Sequence, residues 1–530
     1  MWDTLVQVVA LVVRQPVWAW LVRDSGTVEQ AAPDPVRAAA RRRPDATALI
    51  AGETRITWSE LDERVDAAAA ELRELCPAAL ERVALVLGNT IDFAVTHFGV
   101  LRAGLIAVPL NPGYTADELG YALTDSGATL VIAESAVHSR LSSVPGIRVR
   151  ENVGSSPAAA PPPAVSKDQV AVLLYTSGTG GRPKGAMLTH AALAANHAQL
   201  DRIEPPVVGT EDVVLLAMPL FHAYGLNTGL GTVAHHAACG VLVERFDAAA
   251  SLEAIERHRV TAVVGVPSMY AAWSRLESAA TALAGLRTAV CGAAPLEETD
   301  AARFTAVTGK KIIIGYGLTE AAPVLTTTAV SDRSKARAIG RPLPGVSLML
   351  RSASGDVLWR DGTASIVEDL APLDIAMPDS PGSEPGEIVV RGPNLFSGYW
   401  PDGRDGPSPE GWWGTGDIAY ADGDGDLMLV DRIGELILVN GFNVYPAEIE
   451  RVLDSHPGVA ESAVIGVRDP VTGQTPHAFV VPALDPPPTP AELHVYCAGQ
   501  LARFKLPTEI ELVAELPHSA IGKVRKGELR

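Results

Sequence analysis

The sequence predicts an α/β fold in which parallel sheets are covered by helices, and three observations support this. Short apolar runs such as residues 83–87 alternate with helical patterns such as residues 91–102, the arrangement expected of βαβ units. From about residue 346 to residue 431, strand-like runs and turns predominate, which indicates a distorted β-barrel. A compact α/β segment follows, so we expect a second, smaller domain.

The apolar runs at residues 105–110, 130–132 and 262–266 repeat the strand pattern along the chain. Near the end of the strand-rich part, residues 422–426 read DGDGD, which predicts a tight turn between strands. Pro446 stands before an apolar periodic segment, where proline fits the first turn of a helix.

Composition and charge exclude several classes of protein. The chain has 530 residues, of which 47% are hydrophobic and 20% charged, as in ordinary globular proteins. Its 43 basic and 62 acidic side chains give a net charge of −19, which argues against nucleic-acid binding. The four cysteines are far apart in the sequence. That spacing argues against a disulfide framework or zinc site and favours a reduced, cytoplasmic compartment.

Residues 1–22 form the most unusual stretch of the chain because they are almost entirely apolar. Asp3 precedes the apolar run where a secretory leader would carry a basic residue. Residues 14–16 interrupt the run before it reaches the ~20 residues that cross a bilayer. We expect either a helix packed against protein or an interfacial helix that holds the chain peripherally at the inner membrane face.

The clearest anion-binding signal follows an apolar strand at residues 172–175. Residues 176–185 read TSGTGGRPKG, in which glycines let backbone N–H groups approach a phosphate and hydroxyls add donors. Pro183 directly before Lys184, and Gly185 after it, break the Walker A pattern and exclude a P-loop NTPase. The expected phosphate-binding residues are Thr176, Ser177, Gly178, Thr179, Gly180 and Lys184.

Residues 175–185, YTSGTGGRPKG, closely resemble the signature of the acyl-adenylate-forming superfamily. Five further segments resemble other signatures of that family, in the same order along the chain, namely residues 219–225 (PLFHAYG), 291–296 (CGAAPL), 312–320 (IIIGYGLTE), 413–417 (WGTGD) and 516–523 (LPHSAIGK). The resemblance implies a large N-terminal domain of stacked βα sheets plus a distorted β-barrel, and a small, mobile C-terminal lid. We place these domains at residues 31–431 and 432–530, after an apolar extension at residues 1–30.

The resemblance also implies where ATP and Mg²⁺ bind. Tyr316 would lie near adenine, Thr319 would contact phosphate, and Glu320 would hold Mg²⁺, which prefers hard oxygen ligands. Asp417 would accept hydrogen bonds from the ribose hydroxyls, a role that suits a carboxylate, with Arg432 beside the same sugar. The remaining implied binding residues are small ones that let the ligand approach the backbone, namely Gly292, Ala293, Ala294, Gly315 and Gly317.

Three further positions are implied in catalysis and thiol transfer. His222 would lie beside the acyl pocket and the phosphates. Lys523 would neutralise the charge that develops on the carboxylate and the α-phosphate. The Asn440–Gly441 region would line the tunnel for the pantetheine arm of CoA. Cys291 has no activating partner in the sequence, so we expect it to be a packing residue rather than a nucleophile.

The chain departs from the family pattern at several places. Gly434 occupies the hinge, where Asp or Lys is usual, and its conformational freedom predicts a looser domain rotation. Leu438 stands where a lysine often contacts phosphate, so we expect that contact to be absent. His518 replaces the usual arginine of the catalytic-lysine motif. Residues 352–385 form an apparent insertion, for which we expect a solvated hairpin.

Together these features predict an AMP-forming acyl-CoA synthetase that uses ATP, Mg²⁺ and CoA. The expected pocket residues are small or apolar (Tyr224, Gly225, Val266, Met269 and Ala293), which favours a medium- or long-chain fatty acid, with an aryl acid second. Two other classes stay open, namely an adenylation enzyme that loads a carrier protein and a catalytically silent nucleotide-binding module. The sequence does not define the oligomeric state.

Overall fold

The computed structural model describes residues 31–142, 144–154, 164–176, 182–331, 335, 338–360, 382–439, 442–469, 472–501, 503–519 and 522–529. The predictions for residues 1–30, for residues 177–180 of the glycine-rich loop and for Asn440 and Gly441 lie outside these ranges and stay predictions. Within the described ranges, no helix is both long and apolar enough to cross a membrane.

The first part of the chain alternates strands with helices. Its elements are α1 (Pro35–Arg42), β1 (Thr47–Ala51), β2 (Thr54–Thr57), α2 (Trp58–Leu75), β3 (Arg82–Val86), α3 (Ile91–Arg102), β4 (Ile106–Pro109), α4 (Ala116–Ser126), β5 (Leu130–Ala133), α5 (His138–Leu141), β6 (Arg148–Arg150), β7 (Val170–Thr176), β8 (Lys184–Thr189) and α6 (His190–Leu200).

The middle of the chain continues the alternation and then becomes strand-rich. Its elements are β9 (Val213–Leu216), a π-helix (Tyr224–Gly231), α7 (Thr232–His236), β10 (Cys239–Leu242), α8 (Ala248–His258), β11 (Ala262–Gly265), α9 (Pro267–Trp273), α10 (Ala279–Ala282), β12 (Thr288–Cys291), α11 (Glu298–Thr308), β13 (Ile312–Gly317), β14 (Val324–Thr327), β15 (Ala338–Pro342), β16 (Ser347–Arg351), β17 (Val357–Arg360), β18 (Gly386–Arg391), β19 (Trp413–Ala421) and β20 (Leu427–Arg432).

The last part forms a separate, smaller α/β unit. Its elements are β21 (Ile437–Val439), β22 (Phe442–Val444), α12 (Pro446–Asp454), β23 (Val459–Asp469), β24 (Gly473–Pro482), α13 (Pro490–Ala498) and β25 (Glu509–Leu512). Five strands make one sheet in the order β22-β21-β24-β23, with β25 paired to β24. Side chains such as Ile437, Ile449 and Leu493 fill its own core.

Local sequence explains where several of these elements begin. Strands β4 and β5 are apolar and buried at every position, as expected when helices cover both faces of a parallel sheet. Helix α2 starts at a capping box in which Thr57 and Glu60 exchange side-chain-to-backbone hydrogen bonds. Pro446 is the first residue of α12, as predicted.

Two sheets build the large domain. A six-stranded sheet has the order β6-β5-β3-β4-β7-β8 and is parallel except for β8. A 14-stranded sheet runs β17-β16-β18-β19-β20-β15-β14-β13-β12-β11-β9-β10-β1-β2. Its pairings are parallel from β1 through β10, β9, β11 and β12 to β13, and antiparallel from β13 onward to β17. The predicted α/β class is confirmed.

Strands predominate after residue 346, as predicted from the strand-like runs and turns in that part of the sequence. The DGDGD sequence connects β19 and β20, as predicted, and Lys335 lies within 3 Å of carboxylate oxygens from Asp422, Asp424 and Asp426. In the apparent insertion, β17 forms a hairpin with β16. Residues 361–381 of that insertion lie outside the described part.

Candidate functional site

A cleft of about 2110 Å³ lies between the large domain and the C-terminal segment. The carboxyl ends of β12 and β13 open into it, at the point where the large sheet changes from parallel to antiparallel. Ligands of α/β proteins commonly bind at such edges. The predicted residues that line this cleft are Thr176, His222, Gly292, Ala293, Gly315, Tyr316, Gly317, Thr319, Glu320, Arg432 and Lys523.

Three of the described residues predicted to bind ATP do not line the cleft directly. Lys184 pairs with Thr176 across the β7–β8 hairpin, so it stands at the base of the glycine-rich segment. Asp417 is buried, with 2% of its surface exposed, and lies behind Tyr316 and Arg432. Ala294 follows Ala293, whose backbone adopts φ +67°, a left-handed conformation that costs ~1–2 kcal/mol outside glycine.

Lys184 and Glu320 are connected through a residue that sequence reasoning missed. The Lys184 ammonium lies 4.9 Å from the centre of the Tyr399 ring, and the Tyr399 hydroxyl donates to Glu320 Oε1 at 2.6 Å. Burial, and then the Glu320 carboxylate, raise the pKa of Tyr399. Tyr399 therefore stays protonated and donates to Glu320.

The Lys184 ammonium also pairs with Asp405 Oδ2 at 2.9 Å. Both side chains are more than half exposed, so the pair contributes little stability. Lys184 can exchange Asp405 for a phosphate oxygen at small cost.

The Glu320 carboxylate fits a magnesium site. It is buried, with 8% of its surface exposed, and its position at the cleft wall leaves oxygen lone pairs available beside the Tyr399 hydrogen bond. One fixed carboxylate together with substrate phosphates is a usual donor set for Mg²⁺.

A second group of residues joins β13, β19 and β20 around one buried carboxylate. Asp417 and Arg432 are partners in the β19–β20 pairing, and Arg432 Nε lies 2.8 Å from Asp417 Oδ1. Tyr316 donates its hydroxyl to Asp417 Oδ2 at 2.6 Å. Both carboxylate oxygens of Asp417 are therefore engaged by side chains that line the cleft, Tyr316 and Arg432, and each oxygen keeps a lone pair for a further donor.

His222 lies at the start of the π-helix and is half-buried. Burial lowers its pKa to about 4, and its Nδ1 accepts a hydrogen bond from the backbone N–H of Tyr224 at 3.3 Å. His222 is therefore a neutral imidazole, and its Nε2–H, which has no hydrogen-bond partner among the described residues, can donate to a ligand oxygen.

The helix after His222 packs closely against the preceding loop. A Cβ atom on Gly225 would lie 2.2 Å from the carbonyl oxygen of Pro219, so only glycine fits. Tyr224 lines the cleft and its hydroxyl donates to the Gly265 carbonyl at 3.3 Å. Cys291 is buried beside it and burial raises the pKa of its thiol, which agrees with the predicted packing role.

Two of the predicted pocket residues are placed differently. Val266 and Met269 are 5% and 2% exposed, belong to the core of the large domain and are not among the residues that line the cleft, so their part in an acyl pocket stays a prediction. Val266 is the N-cap residue of α9, and Met269 lies in the first turn of that helix. Apolar lining comes instead from Val264, Val290 and Ile313.

Lys523 enters the cleft from the C-terminal segment. Its loop is closed by hydrogen bonds between Ser519 and Lys523, and Gly522 lies against Ser268 of α9. The side chain faces the solvent of the cleft, yet surrounding protein, and then the nearby Arg432 charge, lower the pKa of Lys523. The predicted basic residue is thus brought into the same cleft as Glu320 and Arg432.

Lys526 is a further residue that sequence reasoning missed. Its ammonium lies 2.8 Å from Glu435 and 2.8 Å from Glu450. Although burial opposes it, these two carboxylates raise the pKa of Lys526. Glu435 follows Gly434, so Lys526 ties the segment at the predicted hinge to helix α12.

His518, which replaces the expected arginine, has a partner of its own. Its Nε2 lies 2.7 Å from Glu461 Oε1 on β23. This contact fixes the loop that carries Lys523 onto the sheet of the small unit.

Family comparisons match most of the chain. Residues 36–400 match the model described as AMP-binding enzyme, and residues 448–523 match the model of the AMP-binding enzyme C-terminal domain. A feruloyl-CoA synthase of Amycolatopsis sp. is 37% identical, covering 94% of this chain and 97% of the relative. A long-chain-fatty-acid–CoA ligase of Yersinia pestis is 34% identical, covering 93% and 92%.

Solved structures of CoA synthetases and of MatB are also similar to this chain over most of its length. ATP-bound MatB from Rhodopseudomonas palustris superimposes with a TM-score of 0.84 at 28% identity, covering 94% of this chain and 98% of that one. The o-succinylbenzoate CoA synthetase of Bacillus subtilis, bound to its acyl-adenylate intermediate, has a TM-score of 0.79 at 27% identity, with the same coverages.

Proposed function

We propose that this chain, which belongs to the AMP-binding enzyme family and is an AMP-forming acid–thiol ligase, activates an acid with a largely apolar body and transfers it to CoA. ATP and CoA are the substrates of such ligases. The acid, the residue roles and the domain movement described below are our proposals.

One observation carries the proposed chemistry. Lys523 on the small unit faces the same cleft as Glu320 on the large domain. A cation from one domain and a magnesium-type carboxylate from the other can therefore act on one triphosphate. This is the arrangement that an attack on the α-phosphate requires, because negative charge accumulates there in the transition state.

In the first half-reaction, the acid's carboxylate oxygen bonds to the α-phosphorus while the bond to the bridging oxygen of pyrophosphate breaks. No general base is needed because a carboxylate is ionised at neutral pH. Thr176 and Lys184 hold phosphate oxygens, Asp417 and Arg432 orient the ribose, and Lys523 neutralises the developing charge. Glu320 would hold Mg²⁺, which supplies further charge neutralisation at the phosphates when bound.

In the second half-reaction, the CoA sulfur bonds to the acyl carbon and AMP leaves. We propose that the lid, residues 432–530, rotates about Gly434 between the two steps and carries Lys523 out of the cleft. The Asn440–Gly441 region would then face the adenylate and admit the pantetheine arm. His222, neutral and half-buried, would donate a hydrogen bond at the acyl end.

For the acid we propose a medium- or long-chain fatty acid, supported by the apolar lining of Val264, Val290 and Ile313. An aryl acid is the second candidate. The feruloyl-CoA synthase named above favours it, since that relative is the more similar of the two by identity.

A panel of acids tests these proposals. Purified protein is incubated with ATP, Mg²⁺ and each acid, with either CoA or a phosphopantetheinyl carrier protein as acceptor, and AMP and thioester are measured. We expect acid-dependent AMP release with CoA as the better acceptor. Thioester formed only on the carrier protein would contradict CoA as acceptor, and nucleotide binding without ATP–pyrophosphate exchange would contradict catalysis altogether.

A further inference from the structure

Two neighbouring histidines and one aspartate meet where two helices of the large domain end. His235 and His236 are the last two residues of α7, and Asp201 directly follows α6. The nitrogen and oxygen atoms that the three side chains present all lie within 4.8 Å of one another. In the part of the chain that the structure describes, they form the group of histidine, cysteine and carboxylate side chains close enough to share one metal ion.

The Asp201 carboxylate is shared between the two imidazoles. His235 Nε2 lies 2.7 Å from Oδ2, and His236 Nε2 lies 3.3 Å from Oδ1. Among the described residues no lysine or arginine pairs with Asp201, so the imidazoles are the partners of its negative charge. Two imidazole nitrogens and one carboxylate are a donor set that binds divalent transition metals.

Packing helps to hold the two rings in converging positions. Successive residues of a helix point about 100° apart, yet the His235 and His236 ring centres lie only 4.9 Å apart, with the ring planes at 84°. His235 packs against His197, whose ring centre is 5.0 Å away. His197 is itself held, because its Nε2 lies 3.0 Å from the Asn227 carbonyl oxygen.

The two helix C-termini favour a cation at this place. Helix α6 ends at Leu200, and α7, which continues the π-helix, ends at His236. The last carbonyl groups of a helix carry partial negative charge, which attracts cations. Arg42 brings an opposing positive charge, but its guanidinium donates to the backbone carbonyl of His235 at 2.6 Å. An ion can reach the donors from solvent, since 38% of the Asp201 side chain and 32% of the His235 side chain are exposed.

The spacing of the donor atoms suits a zinc ion. Bonds from Zn²⁺ to nitrogen and oxygen are about 2.0–2.2 Å long, so the ligand atoms of a tetrahedral site lie roughly 3.3–3.6 Å apart. The 3.3 Å between His236 and Asp201 already matches this spacing. The 2.7 Å between His235 and Asp201 must lengthen by about 0.6 Å, which the partly exposed Asp201 side chain can allow. Mg²⁺ does not suit the site because it prefers oxygen ligands.

We propose that Asp201, His235 and His236 bind a divalent transition metal ion such as Zn²⁺, whose fourth position is taken by water. The bound ion joins the end of α7 to the end of α6 and stabilises this part of the large domain. The site uses none of the residues assigned above to ATP, Mg²⁺ or CoA. The inference therefore does not depend on the proposed function.

Metal binding by full-length protein without a histidine tag tests the proposal. The protein is treated with EDTA, dialysed and titrated with Zn²⁺ in competition with a chromogenic chelator, with Mg²⁺ in excess throughout. Retained zinc is counted by mass spectrometry of the elements. We expect a single Zn²⁺ ion per chain, a micromolar or tighter Kd, and a thermal unfolding midpoint that rises with the Zn²⁺ concentration.

Three variants locate the ion. Asp201→Asn, His235→Gln and His236→Gln each remove one ligand, so each should weaken the Zn²⁺ affinity by at least about 10-fold, the least that loss of even a supporting residue usually costs. His494→Gln is the control, because His494 is exposed on α13 and lies outside the cluster. It should bind Zn²⁺ as the unmodified protein does. Circular dichroism without metal checks the fold, and if one ligand variant is unfolded, the other two replace it.

Two results would overturn the proposal. One is an unmodified protein that retains no Zn²⁺ against the chelator, and the other is three folded ligand variants that bind Zn²⁺ as tightly as the unmodified protein. Weak binding of several ions per chain that His494→Gln also reduces would contradict it too, because such binding is spread over surface histidines. None of these results bears on acid activation, which is measured separately as AMP release.

Discussion

The hydrogen bond from Tyr399 to Glu320 should contribute substantially to the proposed magnesium site, and Tyr399→Phe isolates its contribution. The substitution keeps the ring over which Lys184 lies and removes only the hydroxyl that donates to Glu320 at 2.6 Å. Hydrogen bonds to a charged partner contribute about 1.5–3 kcal/mol. If Glu320 needs this bond to stay in place, the rate should fall by about 10- to 150-fold.

The assay is ATP–pyrophosphate exchange measured over a range of Mg²⁺ concentrations. We expect a lower maximal rate and a higher Mg²⁺ requirement, because a less constrained Glu320 is a poorer ligand. Tyr420→Phe is the matched control, since the Tyr420 hydroxyl on β19 makes no hydrogen bond within the described part of the chain. A Tyr399→Phe rate within twofold of the unmodified enzyme, at every Mg²⁺ concentration, would refute this reasoning.

Three other perturbations have defined outcomes. Burial and the Arg432 charge lower the pKa of Lys523. The rate of adenylation should therefore begin to fall with rising pH below ~10.4, the pKa of a free lysine. A rate that stays constant up to that pH would contradict the prediction. Arg432→Ala removes the ion-pair partner of Asp417. We therefore expect the free energy of unfolding, measured with denaturant, to fall by about 1.5–3 kcal/mol and the KM for ATP to rise. Unchanged values of both quantities would contradict the prediction. Gly225→Ala places a Cβ atom 2.2 Å from a backbone oxygen and should destabilise the folded protein by at least ~1–3 kcal/mol. Gly285→Ala is the control, because its Cβ atom meets nothing within 4 Å, and it should not destabilise the protein. Equal urea midpoints for the two variants would contradict the packing argument.

The local sequence pattern was sufficient to predict most helices and strands of the large domain. Helix α3 begins and ends at the predicted residues, because Thr90 caps its N-terminus through the Phe93 N–H and the apolar periodicity continues to Arg102. The buried strands β3, β5 and β11 fall within a residue or so of their apolar runs, since parallel strands covered on both faces have few polar positions.

Only those residues of the site that belong to recognisable sequence motifs could be predicted. Glu320, Asp417 and Lys523 stand in recognisable segments, but Tyr399 acts on Glu320 from 79 positions away, and Lys526 pairs with Glu435 from 91 positions away. Such pairs depend on how distant segments fold together, which no local pattern encodes.

The division of the reaction between two positions of the lid can be tested with one variant. Lys523→Ala is assayed for acid-dependent ATP–pyrophosphate exchange and, separately, for thioester formation from CoA and a chemically prepared acyl-adenylate. We expect exchange to fall by at least about 100-fold, as when a charge-stabilising group is removed from a transition state, while thioester formation stays within a few-fold of the unmodified enzyme. If the variant instead exchanges pyrophosphate at the unmodified rate, Lys523 is not the residue that neutralises the adenylation transition state.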